Sequence, residues 1–113
     1  MWSLIPMSLT PMSSLEKRVA YRNGAILKAA ENETCTLCKT QDGTTVFAHF
    51  NNSWAGKGTS QKADDCAGMF LCQACHHNYD NPGISGYTGF EEWEILRAYY
   101  RTIRRLLDRK ILK

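Results

Sequence analysis

Four cysteines are spaced as metal ligands: Cys35 and Cys38 in ETCTLCKT, then Cys72 and Cys75 in MFLCQACHHNYD. Each pair is Cys-x2-Cys, and residues 39–71 lie between them. Two such turns can present four thiolates to one tetrahedral ion, the chemistry of a structural Zn2+ site. A disulfide framework suits the chain less well. Five cysteines leave one over, and no basic region precedes the apolar start as it would in a secretory signal. The odd one, Cys66, reads as a small buried hydrophobe. The second pair runs directly into His76, His77 and Asp80, and the gap between the pairs holds a lone His49. These side chains could carry chemistry on a scaffold that the cysteines hold.

That scaffold must come from short elements. TTVFAHF, residues 44–50, reads as a strand with Thr45, Phe47 and His49 on one face and Val46, Ala48 and Phe50 on the other. The following segment NNSWAGKGTSQKADD, residues 51–65, has the length of a functional loop. Trp54 should anchor it, Lys57 and Lys62 could contact phosphates, and Gly56 and Gly58 permit close backbone approach. Simple solvation of the two lysines is the competing reading. Met69-Phe70-Leu71 is a short second strand, and a helix opening near Cys72 places His76 and Asp80 four residues apart on one face. His77, three residues from Asp80, is the weaker partner.

Flanking helices complete the pattern. Residues 14–32 look helical with a break at Asn23-Gly24; Ile26 and Ala29 would pack, and Arg18, Arg22 and Lys28 would face outward. Thr88 followed by Glu91 suggests a capping box opening a helix over about 89–112. Phe90, Trp93, Leu96, Tyr100, Ile103, Leu107 and Ile111 recur there at three- and four-residue steps. Core packing is the first reading of that stripe, and a homodimer through the helix is the second.

At 113 residues the chain is one small domain, residues 14–113, preceded by a loose uncharged arm at 1–13. Its middle is rich in Gly, Asn, Asp and Ser and needs a staple to offset its ordering entropy, which a bound metal supplies. The apolar runs are too short and broken for a membrane span, and the thiol usage points to the cytoplasm. The net charge is +3, but half of the fourteen basic residues fall in 97–113. Arg97, Arg101, Arg104 and Arg105 there suit an anionic partner such as DNA, with RNA not excluded.

The string Cys35-x2-Cys38, Ala48-His49, Gly56-Lys57-Gly58, Asp65 and Cys72-x2-Cys75-His76 resembles the HNH, or ββα-metal, endonuclease superfamily. Within it the chain is most similar to small phage and prophage nucleases of the YbcO type. The resemblance covers residues 20–82. It implies a zinc-stapled, treble-clef-like ββα-metal core at about 33–82, and with the N-terminal and long C-terminal helices expected on either side the fold class is α+β. It implies a metal-dependent DNA endonuclease or nickase acting in a bacterial host cytoplasm. His49 would then be the general base, Asp65 would orient it, and His76 would bind a catalytic Mg2+ or Mn2+. Where many such nucleases carry an acid or second His before the base, this chain has Ala48, and Asp80 offers the missing oxygen ligand. Other assignments stand beside these. His76 could replace a cysteine at the zinc, and His49 could bind the metal itself or be a satisfied structural histidine. The whole could also be a non-catalytic zinc-knuckle module that binds nucleic acid.

Overall fold

The computed structural model of the chain describes residues 19–58, 61–83 and 85–112. The arm at 1–13 and the expected helix start near residue 14 lie outside the described residues. The architecture is small α+β: helix α1 (Gly24–Ala29), strand β1 (Val46–His49), strand β2 (Gly68–Leu71), helix α2 (Gln73–Asp80) and helix α3 (Glu92–Asp108). Short 3-10 turns follow α1 at Ala30–Asn32 and occupy the long loop at Ser53–Ala55. None of the described helices is long and apolar enough to cross a membrane.

The two strands pair antiparallel, Val46 with Leu71 through His49 with Gly68. Their alternation splits the apolar side chains between two clusters. Phe47 and Phe70, opposite each other in the register, pack with Ile26, Ala29 and Leu106. Ala48 and Met69, also opposite, pack with Phe50, Leu71, Ala98 and the buried cysteines. Helix α3 reaches both clusters and closes the free edge of β2. Phe70 N–H donates to Thr102 Oγ1 at 3.1 Å, while Phe70 O accepts from the Thr36 amide at 2.8 Å and its hydroxyl at 2.9 Å. An edge with its polar groups so occupied cannot template another strand.

The structure shortens or moves three expected elements. Residues 19–23 are not helical, because the Tyr21 and Asn23 amides are drawn onto the carboxylates of Asp64 and Asp65. Asn23 instead caps α1, its Oδ1 accepting from the Ala25 amide. The strand spans four residues rather than 44–50, since Thr44 turns away: its amide donates to Asp42 and its Oγ1 accepts from the first amide of α2. The capping box of α3 is Glu91 with Glu94, not Thr88 with Glu91. Gly89, at φ 93°, breaks any helix running back to Thr88.

The stripe expected in the core is the larger difference. The buried residues of α3 are Ala98, Thr102 and Leu106, whereas Trp93, Leu96, Tyr100 and Leu107 are exposed. Small residues on the inner face let the helix lie close over β2, so the large ones are left outside.

Gly68 tests the packing of the hairpin. A Cβ there would meet the Ala48 carbonyl oxygen and stand 2.6 Å from the Phe47 ring. Gly68→Ala is expected to cost about 1–3 kcal/mol by overpacking, read by chemical denaturation. Gly58→Ala, which meets open space, should be nearly neutral and serves as the control.

Candidate functional site

The first cysteine pair sits in a tight turn. The Cys38 amide donates to Cys35 Sγ at 3.4 Å, the Lys39 amide donates to Cys35 O, and Lys39 is left-handed at φ 67°. The second pair straddles the start of α2, with Cys72 at its N-cap and Cys75 in its first turn. The four sulfurs lie within 4.8 Å of one another, and Cys38 Sγ is 3.6 Å from Cys72 Sγ. Tetrahedral Zn–S bonds of about 2.3 Å place sulfurs about 3.8 Å apart, so the donor set fits a structural zinc. Among the described residues this is the one group of three or more His, Cys, Asp or Glu side chains at metal-binding separation.

The thiols are electrostatically unequal. At Cys38, burial opposes ionisation, but hydrogen bonds from Thr40 and from the neighbouring cysteines outweigh it and bring the pKa down to about 6. Burial pushes Cys72 and Cys75 up. Four clustered sulfurs, three of them on buried cysteines, cannot all ionise without a cation among them, which is why such clusters bind metal with release of protons.

His49 lies at the end of β1 and Asp65 three residues before β2, and the hairpin brings them together. His49 Nε2 is 2.8 Å from Asp65 Oδ1, and Asp65 is 2% exposed. The same carboxylate accepts the Asn23 amide at 2.7 Å on Oδ2, and Arg22 approaches at 3.5 Å. Burial alone would raise the Asp65 pKa. The hydrogen bonds from His49 and Asn23 and the charges of His49 and Arg22 override it and hold the carboxyl below its ordinary value. An ionised carboxylate only accepts, so the Nε2 facing it carries a proton, and in the neutral imidazole Nδ1 is then the acceptor. Phe47 meets the imidazole edge-on at 5.1 Å and fixes its plane. Arg22 also donates to the carbonyls of Ala63 and Lys62, clasping the loop that carries Asp65.

Helix α2 extends to Asp80, and His76 Nε2 stands 3.0 Å from Asp80 Oδ2. The two side chains are one helical turn apart and form a half-exposed pair. Asn51, two residues past His49, donates to Asp80 Oδ1 at 3.1 Å and ties the β1 end to the helix. His76, His77, Asp80 and Asp42 line one open groove of about 610 Å³. His77 contacts Asn81 rather than Asp80, with Nδ1 3.4 Å from the Asn81 amide nitrogen.

The expected phosphate contacts separate. Lys57 and Lys62 are exposed, with no ion pair among the described residues. Arg101 and Arg105 are instead spent inside the molecule: Arg101 donates to Thr36 O, and Arg105 to Thr34 O and Glu33. Arg104 pairs with Asp108, and Arg97 lies over the Trp93 ring. Arg101 and Arg105 fasten α3 to residues 33–36 around Cys35, a role their charge alone did not reveal. Asn51, Asn23 and Arg22 were not read as site residues. The Asn-Gly pair at 23–24 was the available sign, since Asn before an apolar helical run is an N-cap signal.

Comparison with known proteins returned no matching family model, no matching curated protein and no matching solved structure.

Two outcomes follow. Removing metal with a chelator should unfold residues 33–82, seen as loss of near-UV circular dichroism and of about one zinc per chain by elemental analysis. A chain that stays fully folded without metal would contradict the zinc assignment. Asp65 has a depressed folded pKa, so its contribution is complete above the ordinary 3.8 and fades as pH falls through the lower folded value. At pH 7 Asp65→Asn should therefore destabilise by about 1–3 kcal/mol, measured by denaturant titration of the zinc-loaded protein.

Proposed function

We propose that this protein is a metal-dependent nucleic-acid phosphodiesterase, a DNA endonuclease or nickase of the HNH kind, with the cysteines holding a structural zinc. The observation that carries the reading is the His49–Asp65 pair, an imidazole oriented by a buried carboxylate and tied through Asn51 to the His76–Asp80 pair. The residue pattern and the β-β-α order of the elements support it. A phage or prophage origin and a cytoplasmic site of action belong to the same reading.

In this mechanism Asp65 holds His49 with its proton on Nε2, which directs the Nδ1 lone pair outward to accept a proton from water. The hydroxide so formed attacks phosphorus as the P–O3′ bond breaks, the leaving 3′-oxygen takes a proton from solvent, and the ionised Asp65 stabilises the imidazolium, as the carboxylate does in other His–Asp pairs. A divalent ion held by His76 and Asp80 would neutralise charge on the scissile phosphate and the leaving oxygen. Exposed Lys57 and Lys62 would contact flanking phosphates and supply affinity without sequence preference. The products are a 5′-phosphate and a 3′-hydroxyl.

The test is relaxation of supercoiled plasmid with Mg2+ or Mn2+, wild type beside His49→Ala, His76→Ala and Asp65→Asn. Wild type should nick, and each variant should lose about 100-fold or more while keeping its zinc. A folded, zinc-loaded wild type that cleaves no plasmid, single strand or branched DNA would sink the enzyme. Salt-dependent binding by that inactive protein would establish the nucleic-acid-binding module instead.

A further inference from the structure

Helix α3 is apolar on two opposite faces, and only one of them is covered. Ala98, Thr102 and Leu106 are buried against the sheet. On the other side Trp93, Leu96, Tyr100 and Leu107 are 59%, 66%, 62% and 46% exposed. A surface helix ordinarily carries one apolar stripe and a polar back. With Ile103, whose inner side packs against the Phe47–Phe70 cluster at the margin of the stripe, these residues advance by steps of three, four, three and four, the spacing that seats side chains into the gaps of a facing helix. Together they leave on the order of 500 Å² in one patch, the size at which exposed apolar surface marks an interaction site. Leu96 also lines an apolar groove of about 310 Å³ between α3 and the Trp54 turn, so the patch continues beyond the helix.

The charges beside the stripe select its occupant. Glu92 precedes Trp93 and Arg97 follows Leu96. In a parallel pair of α3 helices meeting along the stripe, Glu92 of one copy faces Arg97 of the other. An antiparallel pair would instead oppose Arg97 and Arg104, two like charges. Arg97 is also the one of the helix's four arginines with neither a carboxylate nor a carbonyl partner among the described residues. Its guanidinium lies 5.0 Å above the Trp93 ring, and its Nε is buried without a hydrogen bond. We infer that α3 joins two copies of this chain into a parallel, two-fold symmetric dimer through Trp93, Leu96, Tyr100, Ile103 and Leu107.

The inference does not depend on catalysis and is tested on the full zinc-loaded chain by sedimentation equilibrium. Wild type should approach twice the monomer mass of 12.8 kDa at micromolar concentration. Leu96→Asp should sediment as monomer with unchanged far-UV circular dichroism and zinc content, since Leu96 is exposed and its replacement leaves the fold intact. Glu92→Arg alone should weaken the dimer about tenfold or more, and adding Arg97→Glu should restore it. A wild type that stays monomeric at several hundred micromolar, or a dimer indifferent to Leu96→Asp, would overturn the proposal. So would a monomeric wild type whose DNA affinity falls in Leu96→Asp, which would assign the stripe to nucleic acid. A dimer that the paired charge reversal does not restore would overturn the parallel arrangement.

Discussion

Convergence of Cys35, Cys38, Cys72 and Cys75 is the constraint on which the rest of the molecule depends. It closes the loop between the two pairs, which contains the whole β-hairpin, the long irregular segment and Asp65. That span carries much of the buried apolar core, Phe47, Phe50, Met69, Phe70 and Leu71 among it, but most of its length is irregular, and closing it by hydrophobic contact alone would be costly in chain entropy. A metal bound by four thiolates supplies folding free energy directly, so a four-residue hairpin can be a stable platform. The same closure places Cys72 at the start of α2, which sets the direction in which His76 and Asp80 project.

A second closure depends on the first. Once the hairpin is formed, Asp65 is buried beside His49 and gathers the Asn23 amide and Arg22 as well. An ionised carboxylate out of water needs every one of those partners. Orientation of the imidazole and attachment of the N-terminal segment are therefore one network. This explains why residues 19–23 are not helical: the Tyr21 and Asn23 amides serve the carboxylates of Asp64 and the buried Asp65 instead of a helix.

Helix α3 is held by polar fasteners as much as by its apolar face. Arg101, Arg105 and the C-cap Arg109 reach Glu33 and carbonyls from the end of α1 to the first cysteine turn, while Thr102 satisfies the edge of β2. Arginine suits this work because its planar head donates to several acceptors at once. The positive charge concentrated near the C-terminus is thus largely used for assembly of the fold. Lys57 and Lys62 in the long loop are exposed and take no part in that fastening.

What the amino-acid order determined by itself was local. Cys-x2-Cys spacing specifies a four-thiolate cluster, and β-branched and aromatic runs around His49 and Met69 specify two strands. The four-residue separation of His76 and Asp80 on a helix is a matter of helical pitch. Tertiary structure decided what periodicity cannot express. The stripe of Trp93, Leu96, Tyr100 and Leu107 has helical spacing, yet the sheet edge accepted Ala98, Thr102 and Leu106, because close approach to β2 and a hydroxyl for the Phe70 amide mattered more than side-chain volume. The capping box moved to Glu91 because Gly89 turned left-handed. The pairing of His49 with Asp65, sixteen residues away, and the spending of arginines on carbonyls more than sixty residues distant arise only when the chain has closed. Spacing along a chain reports which residues can share a face, and only packing decides what that face meets.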